Sequence, residues 1–229
     1  MKKGSVSVIL VLVALGVLGA CITPVSAAEK DGDLVELKFE LPKPMFVGTP
    51  KTLKTDNLEP PRRSKTRKKF YAVKGLTNVA KDKTTTGSDM EPIIGEMELV
   101  TDGDKEGSDG SFTEYGPGQQ HVQIDLEDTY TIHAILVWHY HSEARVYRDV
   151  VVQLADDPDF ITNVRTIYNN DHDNSAGLGI GKEYEYIETY EGRLMPVKTE
   201  KARYIRLYSN GSTSSEMNHY IEVEVFGKK

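Results

Sequence analysis

The side chains best suited to chemistry gather in three stretches. The first is Trp138-His139-Tyr140-His141, followed by Arg145, Tyr147 and Arg148. In extended chain, successive side chains face opposite ways, so His139 and His141 are expected on one side and Trp138 and Tyr140 on the other. The second is the loop Asn169–Gly181, reading NNDHDNSAGLGIG, dense in short polar residues and glycine. Its amides and carboxylates, with Asn170 and His172 among them, offer paired donors and acceptors that suit vicinal hydroxyls. The same residues suit Asx turns that bond their own backbone, or a calcium loop through Asp171 and Asp173. Asn218 and His219 are candidates for that surface or caps of the core. The third stretch is Asp102-Gly103-Asp104, with Ser111 and Thr113 after it and Glu222 near the C-terminus. Calcium takes several oxygen ligands, and a glycine lets carbonyls turn toward the ion. The alternative is a plain Asp-Gly turn with Glu222 in solvent.

Catalytic patterns are scarce. There is no Gly-x-Ser-x-Gly elbow, no His-Glu-x-x-His and no phosphate-binding glycine loop. His139-x-His141 with Glu143 resembles the start of a cupin-type metal site. The spacing of the glutamate departs from that pattern, and no glycine frames the pair. A metal-dependent enzyme using His139 and His141 is thus the weakest reading, and the protein is expected not to be an enzyme.

The elements that position these groups read as short strands. Runs at Met97–Val100, Val122–Leu126, Ile132–His139, Val150–Leu154, Val164–Tyr168, Tyr184–Tyr190, Ala202–Tyr208 and Tyr220–Phe226 are separated by polar turns, with no helical stripe. Eight such runs predict an antiparallel sandwich. Ala202–Gly227 is expected to form a closing pair of antiparallel strands, with Asn218 and His219 at the end of the connecting loop. Its 229-residue chain includes roughly 150 residues of this kind, enough to bury one core.

The N-terminal third differs. Lys2 and Lys3 precede an apolar run, Val6–Ala20, in the layout of an export signal. Leu18-Gly19-Ala20-Cys21 resembles a bacterial lipobox, which implies lipidation at Cys21 and a membrane-anchored lipoprotein of the cell envelope. The rival is cleavage after Val25-Ser26-Ala27, giving a secreted or periplasmic protein. Cys21 is the only cysteine, so no intramolecular disulfide is available. Residues 22–70 are expected to be an extended, proline-rich linker, although Leu34–Leu41 alternates well enough for one edge strand. Arg62, Arg63, Lys65, Arg67, Lys68 and Lys69 form a basic cluster that suits lipid headgroups, acidic glycan or a solvated linker. The net charge is −7, and the leader holds two lysines and no acids, so no nucleic-acid partner is expected.

Several motifs carry a family resemblance. RYIRL at Arg203–Leu207 and EVEVFG at Glu222–Gly227 resemble the closing strands of coagulation factor V/VIII type C, or discoidin, domains of the galactose-binding-like group. Thr77–Ala80 is similar to that family's opening, and Val150–Asp159 to its inner strand and turn. Val122–Leu126 is similar to its VQIDLG strand, with Glu127 where glycine is common. The match runs from Thr77 to Gly227. It implies an eight-stranded antiparallel jelly-roll β-sandwich over residues 71–229, preceded by the extended segment. It also implies a structural calcium held by Asp102, Asp104, one of Ser111 or Thr113, and Glu222. By position it puts His139, His141, Arg145 and Tyr147 where relatives contact sugars. The function implied is carbohydrate binding, with protein–protein contact in the cell envelope as the alternative.

Overall fold

The computed structural model describes residues 34–46, 53–62, 64 and 66–229. Cys21, the alternative cleavage site at Val25–Ala27, Arg63 and Lys65 lie outside the described residues. Eleven strands follow one another: β1 (Leu34–Leu37), β2 (Phe70–Val73), β3 (Thr77–Asn78), β4 (Thr85–Gly87), β5 (Thr113–Tyr115), β6 (Gln120–Trp138), β7 (Val151–Ala155), β8 (Arg165–Asn169), β9 (Arg193–Ser209), β10 (Asn218–Tyr220) and β11 (Glu222–Lys228). Every pairing between them is antiparallel.

Two long strands make the sandwich. β6 and β9 pair along most of their length, but the register breaks between Asp125 and Tyr130. Glu127 stands in that break with φ 67, a left-handed conformation that favours glycine. Its carboxylate is paired with Lys83. Before the break β6 also pairs with β4, while β9 pairs with β7 and β7 with β8. Beyond it β6 pairs with β11, which carries β3. Val122 and Ile124 from the first arm share one buried cluster with Ile135, Val137, Val223 and Val225 from the second. The two arms therefore face each other, and the architecture is the antiparallel β-sandwich that the discoidin resemblance implied.

Alternation on β6 and β11 also buries the outer face of the second arm. Ala134, Leu136, Trp138, Ile221 and Phe226 form a separate cluster, against which Leu37, Phe39 and Phe70 pack. The described parts of the expected linker thus lie against the sandwich. β1 pairs with β2, the Phe39 and Phe226 rings meet edge to face at 5.2 Å, and Leu58 bridges to Glu185. An apolar sheet face that no second sheet covers supplies the driving force.

Three local expectations are corrected. β9 and β11 are not paired with each other, because β6 lies between them. Met97–Thr101 is a 3-10 helix, which places Met97 and Val100 on one buried face three residues apart. Tyr184–Tyr190 is irregular, with one bridge through Glu185 in place of a strand.

Candidate functional site

Two polar regions flank the segment Tyr186–Leu194, one closed and one open. The closed region is built from the end of β6, the following loop and β10. His139 is fully buried, and its Nδ1 lies 2.7 Å from Glu188 Oε1. Its ring stacks on Tyr147 with centroids 4.5 Å apart at 22°. Tyr147 in turn bonds His219 Nδ1 at 2.9 Å, and His219 Nε2 bonds Glu114 Oε2 at 2.9 Å. The carboxylate can only accept, so His219 carries its proton on Nε2 and accepts the Tyr147 hydroxyl on Nδ1. Burial, followed by the nearby Arg145 charge, holds the His219 pKa below the usual histidine range. Burial also pushes the Tyr147 phenol well up.

Arg145 is buried, donates to Glu143 at 3.0 Å and lies 4.6 Å over the Tyr140 ring. His141 does not share a surface with His139. It donates from Nε2 to the Lys105 carbonyl at 2.7 Å, and Lys105 sits over the Trp138 ring on the outer cluster. β6 ends at Trp138, so the alternation does not extend to His141. Asn218 is a buried hub. Its oxygen accepts from Ser209 and Gly211, and its amide donates to the carbonyls of Gly116 and Gly118. Asn170 accepts from the Val150 amide at 2.7 Å, and half-buried His172 meets the Glu183 carbonyl at 3.0 Å. The loop at 169–181 largely bonds itself: Asn169 caps Asp171, whose carboxylate accepts from Ser175 and Ala176. Carboxylate oxygens of Asp149, Asp171 and Asp173 lie within 4.8 Å of one another.

The calcium set is brought together in part. Glu222 is buried and accepts the Gly103 amide at 3.0 Å. Burial, then the charges of Glu224 and Asp102, raise its pKa to about 9 despite that hydrogen bond. Its second oxygen is enclosed with no partner. A buried carboxylate with an orphaned oxygen near another acid fits a hard cation. Asp104 instead closes its own turn, accepting from Glu106 and Ser111, while Thr113 donates to the Tyr220 carbonyl. Asp102 likewise accepts the Asp104 amide at 2.8 Å, so within the expected set the unpartnered oxygen of Glu222 is the donor left over for an ion, whereas the Ser111 and Thr113 hydroxyls are engaged.

The open region is a surface cleft of about 640 Å³ between the strap at 59–70 and the turn at 186–194. Tyr186 is buried beneath the cleft, with the Arg193 guanidinium 4.6 Å over the ring. Glu59 holds Arg193 at 2.8 Å, and Glu191 holds Arg62 at 2.6 Å and the Arg67 amide at 2.9 Å. Gly192, at φ 64, lets the turn lie on Trp138, where a Cβ would meet the indole at 2.7 Å. No sequence signal pointed to Tyr186, Glu188, Arg193, Glu59 or Glu191 as site residues, since each meets its partner only through the tertiary fold.

No family model matches the chain, and no curated protein matches it. Among solved structures, the CBM32 of AlyQ in complex with 4,5-unsaturated mannuronic acid matches 64% of this chain and 96% of its own, at 17% identity and TM-score 0.47. A Streptococcus pneumoniae fucose binding module matches 67% of this chain and all of its own, at 18% identity and TM-score 0.48. A family 89 glycoside hydrolase from Clostridium perfringens matches 66% of this chain, at 19% identity and TM-score 0.49, over 14% of its own length.

Proposed function

We propose that the protein is a non-catalytic carbohydrate-binding module, exported and held to the cell envelope through Cys21. The observation that carries the reading is the cleft. It combines the half-buried Phe70 ring, the Thr189 hydroxyl and braced guanidinium donors in a volume suited to a few sugar units. The groups best able to move protons, His139 and His219, are buried with partners of their own. That enclosure favours binding over catalysis. Calcium has a structural role in this reading, joining the turn at Asp102 to β11 through Glu222; the orphaned Glu222 oxygen supports it.

A glycan array probed with the full-length chain tests the function. Saturable binding of at least one saccharide, lost when Arg193 is replaced by Ala in a protein that still folds, is the expected result. An array with no saturable binding would sink the proposal.

A further inference from the structure

The cleft carries a charge pattern that sugar binding alone does not require. The chain is acidic, with net charge −7. Yet Arg62, Arg67, Lys68, Lys69 and Arg193 line this hollow, and the carboxylates that meet them are those of Glu59, Glu191 and Glu36, so cations outnumber acids there. A concave surface with an excess of one sign focuses potential and draws in counter-charge.

These cations are also held in place. The Glu191 carboxylate fixes Arg62 and its main-chain carbonyl accepts from the Arg67 guanidinium, while Glu59 fixes Arg193 and Glu36 fixes Lys69. Lys68 has no ion-pair partner among the described residues. The contacts of Arg62 and Arg193 engage Nη1 of each guanidinium. A guanidinium anchored on one edge presents its other donors in a set direction, the geometry that carboxylate and sulfate groups accept. Ordering them beforehand lowers the entropic cost of binding.

Resting on the carbohydrate reading, we infer that the cleft selects an acidic polysaccharide, one whose sugars carry carboxylate or sulfate groups. The recess argues against a lipid surface. Arg193 is 24% exposed at the floor, whereas Arg62 on the rim is 42% exposed. A flat headgroup layer would meet the rim and miss the floor, while a single glycan strand reaches both.

Titration calorimetry on the full-length chain separates the outcomes. The probes are oligogalacturonate, its carboxyl-reduced neutral counterpart, a sulfated dextran oligosaccharide, and phosphatidylglycerol vesicles. The variants are Arg193→Ala and, because that change removes an anchor of the turn, the exposed rim pair Lys68→Glu with Lys69→Glu. One or both acidic oligosaccharides should bind, the rim pair should weaken binding roughly tenfold or more, and added salt should weaken it further. The uronate and sulfate arms identify which anion is read. Equal binding of the neutral oligosaccharide, indifferent to the rim pair, would overturn this inference while leaving carbohydrate binding intact. No binding of any oligosaccharide would defeat both. Vesicle binding that depends on the rim pair, with no oligosaccharide bound, would overturn the inference in favour of a lipid surface.

Discussion

The closed cluster at His139 and the open cleft at Arg193 both border the segment Tyr186–Leu194, yet they treat polar groups differently. In the cluster, His139, Tyr147, His219 and Glu188 are nearly inaccessible and bond one another. In the cleft, the cations are braced by glutamates but remain partly exposed, with donors to spare. A buried polar group must be satisfied from within, so its partners define structure. A half-exposed charge anchored on one edge is free to meet something else.

The largest effect should come from the closed side. Glu188→Ala leaves His139 Nδ1 without its 2.7 Å partner in a buried site. It should destabilise the fold by roughly 2–4 kcal/mol, read by denaturant unfolding. An unfolding midpoint unchanged from the parent would dissolve the contrast between the two regions.

Next is the strap that walls the cleft. Phe39→Ala removes the edge contact with Phe226 and the ring under Arg67. A loss of about 1–2 kcal/mol is expected, together with weaker glycan binding. If stability falls but binding is unaffected, the strap does not shape the cleft.

Calcium should act at neither region. Adding it should raise the melting temperature at pH 8, and Glu222→Gln should remove most of that gain. A melting curve indifferent to calcium and chelator alike would count against Asp102 and Glu222 as ligands.

Acid should distinguish the two regions again. His121 is pushed down to about 4 by burial and then by Arg206, and His219 is also lowered. Between the ordinary histidine value near 6.5 and about 4, His121 binds more protons in the unfolded chain than in the folded one; His219 acts in the same direction, and Glu222 in the opposite one. The histidine contribution to stability should therefore fall as pH drops below 6.5, and His219→Gln should lose less stability than the parent over that drop. A steeper fall in that variant would contradict the neutral imidazole in the cluster.

The smallest stability effect belongs to the rim. Lys68→Glu, at an exposed position, should change unfolding free energy by no more than about 0.5 kcal/mol, while cutting acidic-glycan affinity. A large destabilisation would mean that the rim is part of the core after all.

Much of the sandwich was legible before any coordinates. Period-two alternation places Val122 with Ile124, and Val223 with Val225, on a common buried face. Asp102 and Glu222 were paired through a resemblance, and the fold brings them together through Gly103. The 3-10 helix at Met97 was not legible, because a three-residue apolar spacing also fits a short strand read loosely. Nor was the order of β9, β6 and β11, since neighbours in sequence need not be neighbours in a sheet.

By itself, the sequence determined that the chain is β-rich, acidic overall and basic at 62–69, because alternation and charge are local properties of residue order. Tertiary structure decided what those charges face. Only folding brings Glu191 to Arg62 across 129 positions and Glu188 to His139 across 49. Whether a histidine or an arginine meets solvent depends on which distant segment covers it, and no local pattern encodes that.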